Sequence, residues 1–203
     1  MELIFVRHAL PLRIENAAGA ANPDLDPVGV GQADLMARYL AEEEVHEIWA
    51  SPMNRAQQTA DPLASLLGLA INTDDRLAEY DRHESTYIPV EELKAANDPR
   101  WKAMVRGEWQ REMDPVVFQA DVVAAIDDIV KLNARRRVAV VCHGGVINTY
   151  MAHVLGIGNP VGFFYPEYTS LHRVMAASTG ERSVRSLNEI SHLRGSKLRR
   201  PIA

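Results

Sequence analysis

Short apolar runs rich in β-formers alternate along this chain with segments of helical periodicity, and that alternation narrows the fold more than any other feature. The runs lie at residues 3–6, 45–50, 138–142 and 171–176, with a weaker one at 184–187. Between them, GVGQADLMARYLAEEE places Leu35, Met36, Tyr39 and Leu40 on one stripe. FQADVVAAIDDIVKLNA does the same for Val122, Ile126, Ile129, Val130 and Asn133. Strands this uniformly apolar are buried on both faces, and the intervening helices are the natural cover. The prediction is an α/β sandwich with a mostly parallel sheet. With 203 residues the chain is long enough for one sizeable core, so 1–203 reads as a single domain. Residues 72–114 break the alternation: they are polar, bear tryptophan and are interrupted by Pro89 and Pro99. This stretch reads as an insertion over one edge of the sheet, and the final GSKLRRPIA as a loose basic tail.

In sheets of this kind ligands sit beyond the carboxyl ends of the strands, so what each strand delivers there matters. LIFVRHAL delivers Arg7 and His8. The run ending in IWA delivers SPMNRAQQTA, where Ser51 suits an N-cap and Pro52 a first helical residue. Arg55 then falls on the opening turn, near backbone amides and the positive end of the helix dipole, a setting that favours a bound anion. RVAVVC delivers His143, and Gly144-Gly145 permit a tight turn with close backbone approach before the next helix. Taken singly, these are an ordinary strand end, a solvated arginine and a structural histidine. Four such residues at one edge of one sheet are better explained by convergence on a ligand.

Two histidines and two arginines suit a phosphate or phosphoryl group. The planar fork of arginine offers paired donors to phosphate oxygens. A neutral imidazole can attack phosphorus, while the remaining cations and the second histidine stabilise charge on the equatorial oxygens. A leaving alkoxide needs a proton, and RLAEYDRHE supplies the candidates Glu79, Asp81 and Glu84.

Other chemistries are poorly served. A net charge of −5 argues against nucleic acid or a membrane surface as partner. The single cysteine excludes an internal disulfide framework and fits a reducing compartment. Met1 leads straight into a strand and no apolar run is long enough to span a bilayer, so a cytoplasmic location is the expectation. Cys142 should face away from His143 on a strand, and the position six residues on is Asn148, not the arginine of a cysteine phosphatase. A buried core thiol is the expectation. HEIWA and HESTY lack the second histidine of a zinc-protease helix, and NPDLDP lacks the later ligands of a calcium loop. No Gly-Lys-Ser/Thr phosphate loop and no G-x-S-x-G elbow is present. No metal and no cofactor is expected, and Trp101 and Trp109 could line a substrate mouth, with packing of the insertion the favoured role.

The motifs resemble those of the histidine phosphatase superfamily, in the branch similar to phosphoglycerate mutases and small bacterial phosphatases. FVRHA stands where that family carries Arg-His-Gly, SPMNRAQQTA resembles its Ser-x-x-x-Arg-Ala-x-x-Thr-Ala segment, RLAE its acid-bearing stretch and VVCHGGVIN its second-histidine segment. The four occur in the family's order over roughly the first 150 residues. The resemblance implies a metal-independent three-layer α/β/α sandwich. It makes His8 the phosphate-accepting nucleophile and Glu79 the proton donor. Arg7, Arg55 and His143 become the phosphate pocket, with Gly144 beside it. Ala9 replaces the usual glycine, Ile14 stands where asparagine is common, and YDRHE replaces a glycine-bearing turn. These departures point away from a glycolytic mutase and toward a phosphatase acting on a small phosphorylated substrate. A non-catalytic module that keeps the pocket to bind a phosphorylated ligand is the competing expectation. Nothing in the sequence names the substrate or the oligomeric state.

Overall fold

The apolar runs become strands because each can bury both faces. A computed structural model of the chain describes residues 1–105, 113–158 and 163–199. Its six strands are β1 (Glu2–Arg7), β2 (Glu47–Ala50), β3 (Ile71–Thr73), β4 (Arg137–Cys142), β5 (Leu171–Ala176) and β6 (Arg182–Glu189). They form one sheet in the order β3-β2-β4-β1-β5-β6. The pairs β1–β4, β2–β4 and β2–β3 are parallel, and β5 runs antiparallel to both its neighbours.

Alternation along the two central strands divides the core into two layers. Leu3, Phe5, Val138 and Val140 point to one face, where helices α5 (Pro115–Leu132) and α6 (Gly144–Leu155) cover them with Val122, Ile126, Ile129, Ile147 and Met151. Ile4, Val6, Ala139 and Val141 point to the other, under α1 (Pro27–Ala41) and α2 (Asn54–Leu67), through Met36, Leu40, Ala60 and Leu63. The result is a three-layer α/β/α sandwich. Asp26 and Asp114 cap α1 and α5 by accepting the amides two residues on, each followed by a proline at the first helical position.

Four expectations need correction. The tract that reads as irregular from residue 72 begins inside β3, whose three residues are too few and too exposed to show an apolar run. Beyond β3 the tract stands over the strand ends rather than over an edge. Tyr87 bridges to Ile14 through both backbone hydrogen bonds (2.9 and 2.7 Å), and the short helices α3 (Val90–Ala95) and α4 (Pro99–Val105) continue it. Helix α2 starts at Asn54 with Met53 as its N-cap, two residues beyond the expected Ser51, whose hydroxyl accepts the Met53 amide at 3.3 Å and also meets His143. The basic end is held as far as Arg199: the Leu198 carbonyl accepts the Gln32 amide at 3.0 Å, and Arg199 pairs with Glu167 at 3.2 Å. Among the described residues no helix is long and apolar enough to cross a membrane.

Candidate active site

Three parallel strand ends bring the predicted residues into one cavity. β1 ends on Arg7 and is followed by His8; β4 is followed by His143, which is the N-cap of α6; β2 leads into α2, which carries Arg55 on its first turn. All four side chains are buried, Arg55 and His143 completely. The imidazoles of His8 and His143 lie 5.1 Å apart between ring centroids.

The nucleophile candidate is oriented by its own backbone. His8 Nδ1 lies 2.8 Å from the Ala9 carbonyl, which can only accept, so Nδ1 carries the hydrogen and Nε2 keeps its lone pair. The Ala9 amide in turn donates to Thr59 Oγ1 at 2.9 Å, and that hydroxyl donates to the Arg55 carbonyl at 2.6 Å. The threonine of the SPMNRAQQTA segment therefore ties the first histidine to the arginine-bearing helix. Ala9 is not among the residues with positive φ, so a methyl group in place of glycine carries no backbone strain.

His143 is held differently. Its Nε2 lies 2.7 Å from Ser51 Oγ, which already accepts the Met53 amide at 3.3 Å. The serine's own hydrogen is free to be donated to Nε2, and one hydrogen is shared between the two atoms. Burial, reinforced by the charges of Arg55 and Arg7, holds both imidazoles well below their usual range, so both are neutral near pH 7.

The arginines are clamped without being saturated. Arg7 Nη1 donates to the Pro166 carbonyl at 2.6 Å, and its guanidinium carbon lies 4.0 Å from the Tyr168 ring centroid and 5.1 Å from that of Tyr165. Glu91 on α3 fixes these tyrosines by accepting both hydroxyls, that of Tyr168 at 3.0 Å. Arg55 pairs with Asp81 at 3.2 Å and lies 4.6 Å over the Tyr87 ring. Arg7 Nε, Arg55 Nε, Arg55 Nη1 and His143 Nδ1 are buried and have no partner among the described residues. Three guanidinium donors and an imidazole nitrogen around one cavity form a polar cradle that suits the oxygens of an anion.

Glu79, Asp81 and Glu84 all line the same cavity. Glu79 differs from the other two in its attachment. Its two oxygens accept the amides of Tyr80 at 3.0 Å and Gly145 at 2.8 Å, at the start of α6. Burial, then the nearby charge of Asp81, pushes its carboxyl up to about 7 despite those hydrogen bonds. Gly145 is needed for this contact, since a Cβ there would lie 2.1 Å from Glu79 Oε1. Gly144 also lines the cavity, but a Cβ at that position would meet only Arg7 Nε, at an ordinary 3.8 Å. Cys142 is buried in the core, where desolvation raises its thiol far above its ordinary value.

Sequence reading missed Tyr87, Tyr165, Tyr168 and Glu91, which act on the cradle only through tertiary contact. Trp101, expected to pack the insertion, lines the cavity; Trp109 lies outside the described residues.

Known proteins resemble this chain in sequence and in fold. The chain is 27% identical over 165 residues to a probable phosphoglycerate mutase, GpmB, of Yersinia pestis, covering 77% of this chain and 76% of that protein. A phosphoserine phosphatase of Entamoeba histolytica, crystallised with phosphoserine, superposes with a TM-score of 0.73 at 22% identity over 95% of this chain and 98% of that one. A mycobacterial glucosyl-3-phosphoglycerate phosphatase gives 0.73 at 20% identity over 92% and 98%. These two structures share the fold. The model of one family spans residues 3–190, from the first strand to the end of the last, and on that match the chain belongs to the histidine phosphatase superfamily, branch 1.

Proposed function

We propose that the protein is a phosphomonoesterase that works through a phosphohistidine on His8. The observation that carries this reading is the state of that imidazole: neutral by burial, with Nδ1 tied to the Ala9 carbonyl and Nε2 left as a nucleophile among buried, unpartnered donors.

In the first step Nε2 attacks phosphorus, the P–O bond to the leaving group breaks, and the departing oxygen takes a proton from Glu79. In the second, ionised Glu79 takes a proton from water as that water attacks the phosphohistidine and frees His8 and phosphate. Arg7, Arg55 and His143 stabilise charge on the transferring oxygens throughout. Every stabilising group in this scheme is a side chain. Glu79 suits both roles because a carboxyl near 7 can give and retake a proton at neutral pH. Asp81 is better read as the partner that orients Arg55.

Labelling with an alkaline quench tests the scheme. Enzyme mixed with a labelled phosphomonoester should carry acid-labile, alkali-stable phosphate, and His8→Ala should lose both the label and turnover. Normal turnover by His8→Ala would sink the mechanism. Binding of phosphate esters with neither label nor turnover in the wild type would favour a non-catalytic phospho-ligand module.

A further inference from the structure

The cradle opens into a cavity of about 350 Å³, far more room than a phosphoryl group fills and within the range of pockets that bury whole small ligands. Away from Arg7, His8 and Arg55 its walls include Ile88, Val90, Leu93, Trp101, Phe118 and Phe164. Leu93 and Phe118 are almost fully buried. Most of these side chains come from the segment over the strand ends, and phosphoryl transfer itself has no use for them.

The charged groups on the same walls point the same way. Glu79, Asp81 and Glu84 are acidic. Beyond the cradle arginines, the cation lining the cavity among the described residues is Arg100, which is half exposed and already paired. Its Nε and Nη2 donate to the two oxygens of Asp98 at 2.9 and 2.8 Å. A substrate bearing a second anion would meet carboxylates, apolar surface and the neutral Thr86, Asn148 and Thr149, and beyond the cradle arginines the described lining offers it only Arg100, already paired with Asp98. Burying such a charge without a partner is strongly unfavourable. An apolar group, by contrast, would bury its surface against aliphatic and aromatic side chains.

Resting on the phosphomonoesterase reading, we infer that the substrate is the phosphate ester of a neutral, apolar or aromatic alcohol, and that phosphorylated carboxylic acids are excluded. Trp101 and Leu93 are the residues that select it.

Two matched pairs of compounds test this. By calorimetry, 3-phenylpropylphosphonate should bind wild-type protein at least about tenfold more tightly than 4-phosphonobutyrate, the expected scale for burying one ring. Trp101→Ala and Leu93→Ala should each cut that preference several-fold. In turnover, kcat/KM should favour 2-phenylethyl phosphate over 3-phosphoglycerate, both esters of primary alcohols, by a similar factor. Equal or tighter binding of the carboxylated phosphonate overturns the inference, as does a preference that neither substitution changes. Faster hydrolysis of 3-phosphoglycerate overturns it while leaving the phosphomonoesterase reading intact. Preferential binding of the aromatic phosphonate without hydrolysis of either ester sinks the phosphomonoesterase reading and upholds the selectivity of the pocket.

Discussion

Glu79→Gln separates the proton of the general acid from the shape of its side chain. Each oxygen of Glu79 accepts one backbone amide, Tyr80 at 3.0 Å and Gly145 at 2.8 Å. Glutamine has one acceptor oxygen, so its amide group must face the second N–H. One hydrogen bond is lost and a buried donor is stranded, at a cost of about 1–3 kcal/mol. That cost lowers the melting temperature and falls on every substrate alike. Loss of the proton falls only on esters whose leaving oxygen is strongly basic, where general acid catalysis is worth ~10²–10⁴-fold. At pH 6 most of the wild-type carboxyl is protonated, since burial and Asp81 hold it near 7.

Single-turnover kcat/KM for an alkyl phosphate should therefore fall by ~10²–10⁴ in Glu79→Gln, and that for p-nitrophenyl phosphate by no more than about tenfold. The wild-type profile carries the matching sign. The protonated form is the donor, so kcat/KM for alkyl esters should decline by about tenfold per pH unit above the carboxyl's value near 7. The variant should lack that limb. Equal losses on both esters refute the assignment, as does leaving-group dependence that appears in Asp81→Asn or Glu84→Gln instead.

Arg55→Lys keeps a charge but loses the fork that reaches both Asp81 and a phosphoryl oxygen, so kcat should drop by on the order of 10²–10³ on alkyl and aryl esters alike; a rate within about twofold of wild type would remove Arg55 from the transition state. Gly145→Ala drives a methyl group to 2.1 Å from Glu79 Oε1 and 2.7 Å from the Tyr80 ring, so it should reproduce the alkyl-ester defect of Glu79→Gln and cost about 1–3 kcal/mol in urea unfolding. An alanine variant with wild-type leaving-group dependence would show that Glu79 acts from another position.

The parts of the fold that the sequence announces are those set by local pattern. Strands such as Leu3–Phe5 and Val138–Val140 are visible because burial on both faces leaves a continuous apolar run, and the strand-end residues Arg7, His8 and His143 stand out against it. β3 is silent because three half-exposed residues leave no run. Ser51 has the sequence marks of an N-cap and does accept the Met53 amide, but its contact with His143 at 2.7 Å spans 92 residues and leaves no local sign. The tyrosine clamp is illegible in principle. Tyr165 and Tyr168 matter because Glu91, more than 70 residues away in the chain, holds their hydroxyls beneath Arg7. The choice among Glu79, Asp81 and Glu84 likewise turns on the Gly145 amide, a contact spanning 66 residues.

The strand order has a consequence for how the protein is made. β1 carries the nucleophile candidate yet pairs with nothing near it in the chain: its two neighbours are β4, from Arg137, and β5, from Leu171. During synthesis from the amino terminus, the first strand must wait for most of the polypeptide before it can be enclosed. Sheet closure across such separations is entropically slow and leaves an apolar strand exposed meanwhile. The cradle should therefore be among the last features to form, and nascent chains that stop short of β5 should hold Arg7 and His8 in no defined geometry.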